Sequence, residues 1–219
     1  MKSILISIIL LVSKLDTYSQ KRWIIWSHHE QNIDLINGVS LGIGSYISKK
    51  SDVNGIKLDI PGIGIFVPMG LGEDPFRPPD IISDSIIIKK HLDRIEIMKL
   101  DGLNKTNGIF ISLTGDKEDL VNGIVINPVG GSVEISNGIN LTGIIGLVTL
   151  GNGLSLSAFM LSAGTINGLS IASLFNSAVM LNGLQIGLYN RSSKTKGFQI
   201  GLWNKNEKRS LPIFNWNWN

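Results

Sequence analysis

The sequence predicts an all-β fold, a β-solenoid-like repeat sheet with units of about 15 residues. Three observations predict it. Asn-Gly pairs recur at Asn107-Gly108, Asn122-Gly123, Asn137-Gly138, Asn152-Gly153, Asn167-Gly168 and Asn182-Gly183, each 15 residues after the last. Every unit then continues Gly-Φ-x-Φ, where Φ is apolar, which is the period-two alternation of a half-buried strand. The corner pair is also the same in every unit, as it must be when all coils run the same way. Asn tolerates and Gly prefers the positive φ of a tight corner.

A second architecture fits the same spacing, an outer-membrane β-barrel with one strand and turn per repeat. Such strands need about 9–11 residues. Two features rank the solenoid ahead of it. Val129, Ile144, Phe159, Leu174, Tyr189 and Trp203 sit on the parity of the polar positions, a mid-unit slip that a corner explains. Aromatic residues make up only 7% of the chain, too few for the usual girdles.

In chain order, residues 1–19 read as a signal peptide. Lys2 forms a short positive region, Ile4 to Val12 an apolar one, and Ser19 before Gln20 a cleavage point. Residues 20–219 then form a single β-repeat domain. Two looser copies of the unit stand upstream, at Asn37-Gly38 and Asn54-Gly55, with Pro61 to Pro68 as another apolar strand. Residues 69–103 break the pattern and read as an insertion projecting from the sheet. Pro75, Pro78 and Pro79 make its first part a loop, and Ser83 to Leu100 holds one short helix.

The regular units follow. Their Φ pairs run from Ile109/Ile111 through Ile139/Leu141 and Leu169/Ile171 to Phe198/Ile200, and the seventh unit begins at Lys196-Gly197 after a 14-residue step. A second alternating pair closes several units, as at Val133/Ile135 and Ala178/Met180. The unit therefore reads strand, corner, strand, Asn-Gly corner. Stacking coil on coil turns each Φ position into an apolar ladder, expected on the inside. It also aligns the corner asparagines so that their side-chain amides can bond from coil to coil. Residues 205–219 end in Phe214, Trp216 and Trp218 alternating with Asn, an aromatic cap for the open end of the stack.

Composition excludes several functions. Twenty basic and 17 acidic residues give a formal charge of +3, too little to argue for nucleic acid as a partner. With no Cys there is no disulfide, thiol nucleophile, thiolate zinc site or lipid-anchor cysteine. The stretches Asn182 to Asn190 and Lys196 to Asn204 both carry Gly-Φ-Gln-Ile-Gly-Leu-x-Asn, and Asn206 to Asn217 closes the chain with a specific ending. These residues resemble a group of exported bacterial surface-repeat proteins of the Bacteroidetes and leptospires. The resemblance spans roughly residues 33–65 and 104–219, and the Ser19/Gln20 site resembles Bacteroidetes signal peptides. The middle repeats depart from the pattern, with Asn140, Ser155 and Ser170 in place of Gln. The resemblance implies an exported protein of the periplasm, outer membrane or cell surface, and it implies no activity.

No catalytic, cofactor-binding or metal site is predicted, and the chain reads as non-enzymatic. His28 and His29 point to opposite faces of a strand, and nothing brings His91 or Asp93 to them. Asp116 to Asp119 lacks a calcium-loop pattern and reads as a solvated turn. Gly42-Ile-Gly44 and Gly62-Ile-Gly64 lack the third glycine of a dinucleotide site. Were there an active site, it would lie in the insertion, where Glu73, Asp74, Asp80, Asp84, His91, Asp93 and Glu96 concentrate ionisable groups. The candidate binding face is the polar column Asn140, Ser155, Ser170, Gln185 and Gln199, expected to point outward from one sheet face. Such a column suits envelope components, polysaccharide or another protein.

Overall fold

A computed structural model of the chain describes residues 35–43, 52–60, 84–100, 103–112 and 117–218. The signal-peptide segment, His28 and His29, and the proline loop of the insertion lie outside the described residues.

Ten strands form one sheet in sequence order: β1 (Leu35–Ile43), β2 (Asp52–Ile60), β3 (Lys105–Ser112), β4 (Lys117–Asn127), β5 (Gly130–Thr142), β6 (Ile145–Ser157), β7 (Met160–Ala172), β8 (Phe175–Ile186), β9 (Tyr189–Lys205) and β10 (Ser210–Asn217). The first nine are parallel and each pairs only with its neighbours in sequence. The register puts Gly on Gly and Asn on Asn, as in Asn137↔Asn152 and Gly138↔Gly153. Each strand is one coil of a β-solenoid. The barrel alternative is overturned. Its neighbouring strands would run antiparallel and its ends would close, whereas here β1 and β10 stand at opposite ends of a linear order.

The corner asparagines bond as the stacking predicts. Nδ2 of Asn54, Asn107, Asn122, Asn137, Asn152, Asn167 and Asn182 each donates to Oδ1 of the preceding asparagine, at 2.7–2.8 Å. The insertion between β2 and β3 does not interrupt this ladder, since Gly55 pairs with Gly108 as if the two coils were contiguous. In the last coil Lys196 takes the asparagine position.

Burial shows how each coil turns. In β6 and the corner before it the buried residues are Thr142, Gly146, Val148, Thr149, Gly151, Ser155 and Ser157, of which Thr149 bonds to Glu134 on the side that the helix covers and the others point inward. Inward residues two apart mark straight strand, and steps of three or four mark corners. A coil therefore turns three times: at 143–144, at 149–150 and at the Asn-Gly pair 152–153. The expected unit had two corners. The interior that three short sides enclose is narrow, and small residues fill most of it. Small apolar clusters such as Ala163, Ile166, Ala178 and Leu181 alternate with buried Ser, Thr, Asn and Gln.

The insertion contributes α1 (Asp84–Leu100). It lies against the coils and does not project from them. Among its described side chains, His91 and Met98, two helical turns apart, are the buried ones. His91 Nε2 is 2.8 Å from Thr165 Oγ1 on β7, and Arg94 donates to Glu134 Oε1 on β5 at 2.7 Å. The imidazole sits where Gly164 leaves room, since a Cβ there would lie 2.1 Å from the ring. Thus α1 covers the 149–150 corner of successive coils.

The C-terminal cap is β10, which turns back antiparallel on β9. Its plug is amide and not aromatic. Asn215 and Asn217 are buried, while Phe214, Trp216 and Trp218 are exposed. The strand slips register between Leu211 and Ile213, and Ile213 adopts φ 66 at the slip.

Candidate binding surface

The predicted binding column is inside the molecule. Asn140, Ser155, Ser170, Gln185 and Gln199 are 0–3% exposed. The corner sets the phase: Asn and Gly both lie at the bend, the first Φ points out, x points in and the second Φ points out. The Φ residues of the Gly-Φ-x-Φ segments, expected inside, are therefore outside, and the x column is in the core beside apolar residues such as Val133, Val148, Ala163 and Ala178. The column cannot touch a partner without the coils opening.

Its chemistry explains the Gly-Φ-Gln-Ile-Gly-Leu-x-Asn unit. Gln199 Nε2 donates to Gln185 Oε1 at 2.8 Å, and Gln185 Nε2 donates to the Asn176 carbonyl at 2.9 Å. The motif asparagine bends inward and caps the corner before it. Asn190 Nδ2 donates to the Gly187 carbonyl, and Asn204 Nδ2 to the Gly201 carbonyl, both at 3.0 Å. Asn190 also donates to Asn204 Oδ1 at 2.7 Å, and Asn215 from β10 donates to Gln199 Oε1 at 3.3 Å. A buried amide is costly only when unpaired. Stacked on their copies in the next coil, Gln185, Gln199 and the side-chain amides of Asn190 and Asn204 find partners, whereas Ser170 Oγ and Asn190 Oδ1 find none among the described residues. The motif builds a core, so its repetition is not evidence of a ligand.

The surface that remains available is the outer face of the Gly-Φ-x-Φ segments. Two aliphatic columns run along it. One goes from Val39 through Ile56, Ile139 and Leu169 to Phe198, the other from Leu41 through Leu58, Leu141 and Ile171 to Ile200. Neither column contains a charged residue. Neighbours above and below shield most members to intermediate exposure, yet Ile56, Ile139 and Ile200 still reach 38–41%. The adjoining corner adds Val129, Ile144, Phe159, Leu174, Leu188 and Trp203, all exposed. Parity alone marks most of these corner residues, whereas the aliphatic columns, expected to be core, lie outside.

Aromatic rings close this face at its C-terminal end. Phe198 meets Trp218 edge-on at 4.8 Å and Phe214 at 5.4 Å, and Phe214 stacks on Trp216 at 5.4 Å. The Arg209 guanidinium lies 4.2 Å over the Trp216 ring. Lys196, Phe198 and Trp218 line one shallow open recess beside the Asn-Gly corner.

The remaining candidates are spread apart. His91 is held against Thr165, whereas Asp93 and Glu96 point to solvent on the far side of α1. Among the described residues no group of three His, Asp or Glu is placed to hold a metal ion. Asp116 lies outside the described residues, but Glu118 is not in a solvated turn. It is 4% exposed, pairs with Lys57 Nζ at 2.6 Å and accepts from Thr106 Oγ1 at 2.9 Å. Burial alone would lower the Lys57 pKa. The neighbouring Glu118 carboxylate, with Asp59 and Asp119, outweighs it and holds the ammonium above its usual value.

No protein-family profile, no curated protein and no solved structure matches the chain.

Proposed function

We propose that the chain is a non-enzymatic, exported repeat protein of the bacterial cell envelope with a structural or binding role. The observation that carries this is the outer face of the solenoid, two charge-free aliphatic columns held in register over nine coils. Monomeric soluble proteins rarely leave a contiguous apolar patch this regular uncovered, and larger ones mark docking surfaces. Export is supported by Lys2, the apolar run Ile4 to Val12 and the Ser19/Gln20 step. The resemblance of the Asn182 to Asn217 stretch to exported surface-repeat proteins points the same way.

Fractionation of cells expressing the full chain tests this reading. Recovery in the envelope or medium, with the new N-terminus at Gln20, is the expected result. A cytoplasmic chain that keeps residues 1–19 overturns export. Turnover of a substrate that a single polar substitution abolishes overturns the non-enzymatic role.

A further inference from the structure

We propose that the aliphatic face and its aromatic end seat the protein on the surface of an anionic lipid bilayer. This deepens the envelope reading and rests on it for access to a membrane. Vesicle binding in vitro and fractionation in cells can fail separately.

The distribution of side chains argues for a lipid neighbour. Gln185, Gln199, Asn190 and Ser170 are buried, while the aliphatic columns face out. At about 4.8 Å per coil, nine coils make the apolar strip roughly 40 Å long. The side that α1 covers is mixed and polar, with Lys89, Lys90, Asp93 and Glu96 exposed. The whole domain is thus amphipathic, on the pattern of a body that lies in the interface without spanning it.

Charge then chooses the occupant. The aromatic cluster ends the strip where tryptophan is favoured at a headgroup layer. Arg209 stacks on Trp216, Lys196 shares the recess with Trp218, and Lys208 is exposed at the β9–β10 tip. The one acid of this tip, Glu207, is exposed and accepts from the Thr195 amide at 3.0 Å, so Lys196, Lys208 and Arg209 outnumber it. Aliphatic, aromatic and cationic groups on one side match acyl chains, the interface and anionic phosphates in that order. A second copy of the chain would bring the same aliphatic strip and the same cations.

The test is co-sedimentation of the full chain with vesicles of phosphatidylcholine alone or mixed with phosphatidylglycerol. Binding that favours the phosphatidylglycerol vesicles is expected. Leu154→Glu with Leu169→Glu, in the middle of the face, should weaken it about tenfold or more. Ile97→Glu is the same kind of change at an exposed site on α1 and should leave it unaltered. Lys196→Glu with Arg209→Glu should erase the preference for phosphatidylglycerol. All variants retain residues 1–19, so the comparison reads the change that each substitution makes and not the total binding.

Melting by circular dichroism checks that the variants fold. The chain lacks Cys, so Leu154→Cys carrying a polarity-sensitive dye gives a second readout, a blue shift on vesicles. Unchanged binding after the Leu154/Leu169 substitutions, equal binding to both vesicle types, or no dye shift overturns the proposal. So does a dimer in vesicle-free solution that the same substitutions disperse, which would assign the face to a second copy.

Discussion

A Cβ on Gly168 would lie 2.2 Å from the carbonyl oxygen of Gly153, directly beneath it in the preceding coil. The same approach recurs at the Asn-Gly corners from Gly55 to Gly183, and Gly168 also sits at φ 134. Glycine is thus required twice at this position, for its backbone conformation and for the contact between coils.

Gly168→Val should therefore destabilise the protein by about 3 kcal/mol or more. Gly168→Ala should cost nearly as much, because the first carbon makes the clash. Thermal melting of both variants checks this. Melting at the wild-type temperature would remove the corner from the list of structural requirements.

Ser170 is 0% exposed and its Oγ has no partner among the described residues. A buried hydroxyl without a partner costs about 1–3 kcal/mol of desolvation. Ser170→Ala should stabilise by about 1 kcal/mol and raise Tm by roughly 2–4 °C. A lower Tm would mean that the hydroxyl is paired in solution.

Lys57 and Glu118 form an interior ion pair between β2 and β4, beside the Phe110 ring. Lys57→Met leaves Glu118 buried and uncompensated and should cost about 3 kcal/mol at neutral pH. Lys57→Met with Glu118→Leu should recover most of that loss. The folded-state pKa of Lys57 is raised, so its contribution is fully present below the unfolded value of about 10.4. It is lost as pH rises through the folded value. The stability difference between wild type and Lys57→Met, followed by denaturation at increasing pH from neutral, should shrink as the pH rises through that alkaline range. A constant difference through that range would refute the assignment.

Much of the fold is legible in the residues. The 15-residue step between Asn-Gly pairs forces identical coils, and identical coils place Asn152 on Asn137 with their amides 2.7 Å apart. The alternation of Phe214, Trp216 and Trp218 with Asn is legible as a strand, but not that Asn215 and Asn217, rather than the rings, face the interior. The placement of α1 is not, because its contacts are long-range. His91 meets Thr165 across 74 positions of sequence, in a space that exists only because residue 164 is glycine. The burial of Glu118 is illegible for the same reason, since its partner Lys57 is 61 positions away.

The binding column shows the limit most plainly. Alternation determines that Leu154 and Leu156 share one side of the strand and that Ser155 takes the other. It does not determine which side is the interior. By itself the sequence determined the repeat, the corner chemistry, the order of the coils and the residues that stack in columns. Only the tertiary structure decided that the aliphatic columns face out and the amides face in. Three corners in 15 residues enclose a narrow interior, and an amide stacked on its copy is satisfied there by the coil above or below. The physical cost that normally drives asparagine and glutamine to the surface is reduced where such stacking pairs them, as at Gln185 and Gln199, so hydrophobicity alone could not choose the side.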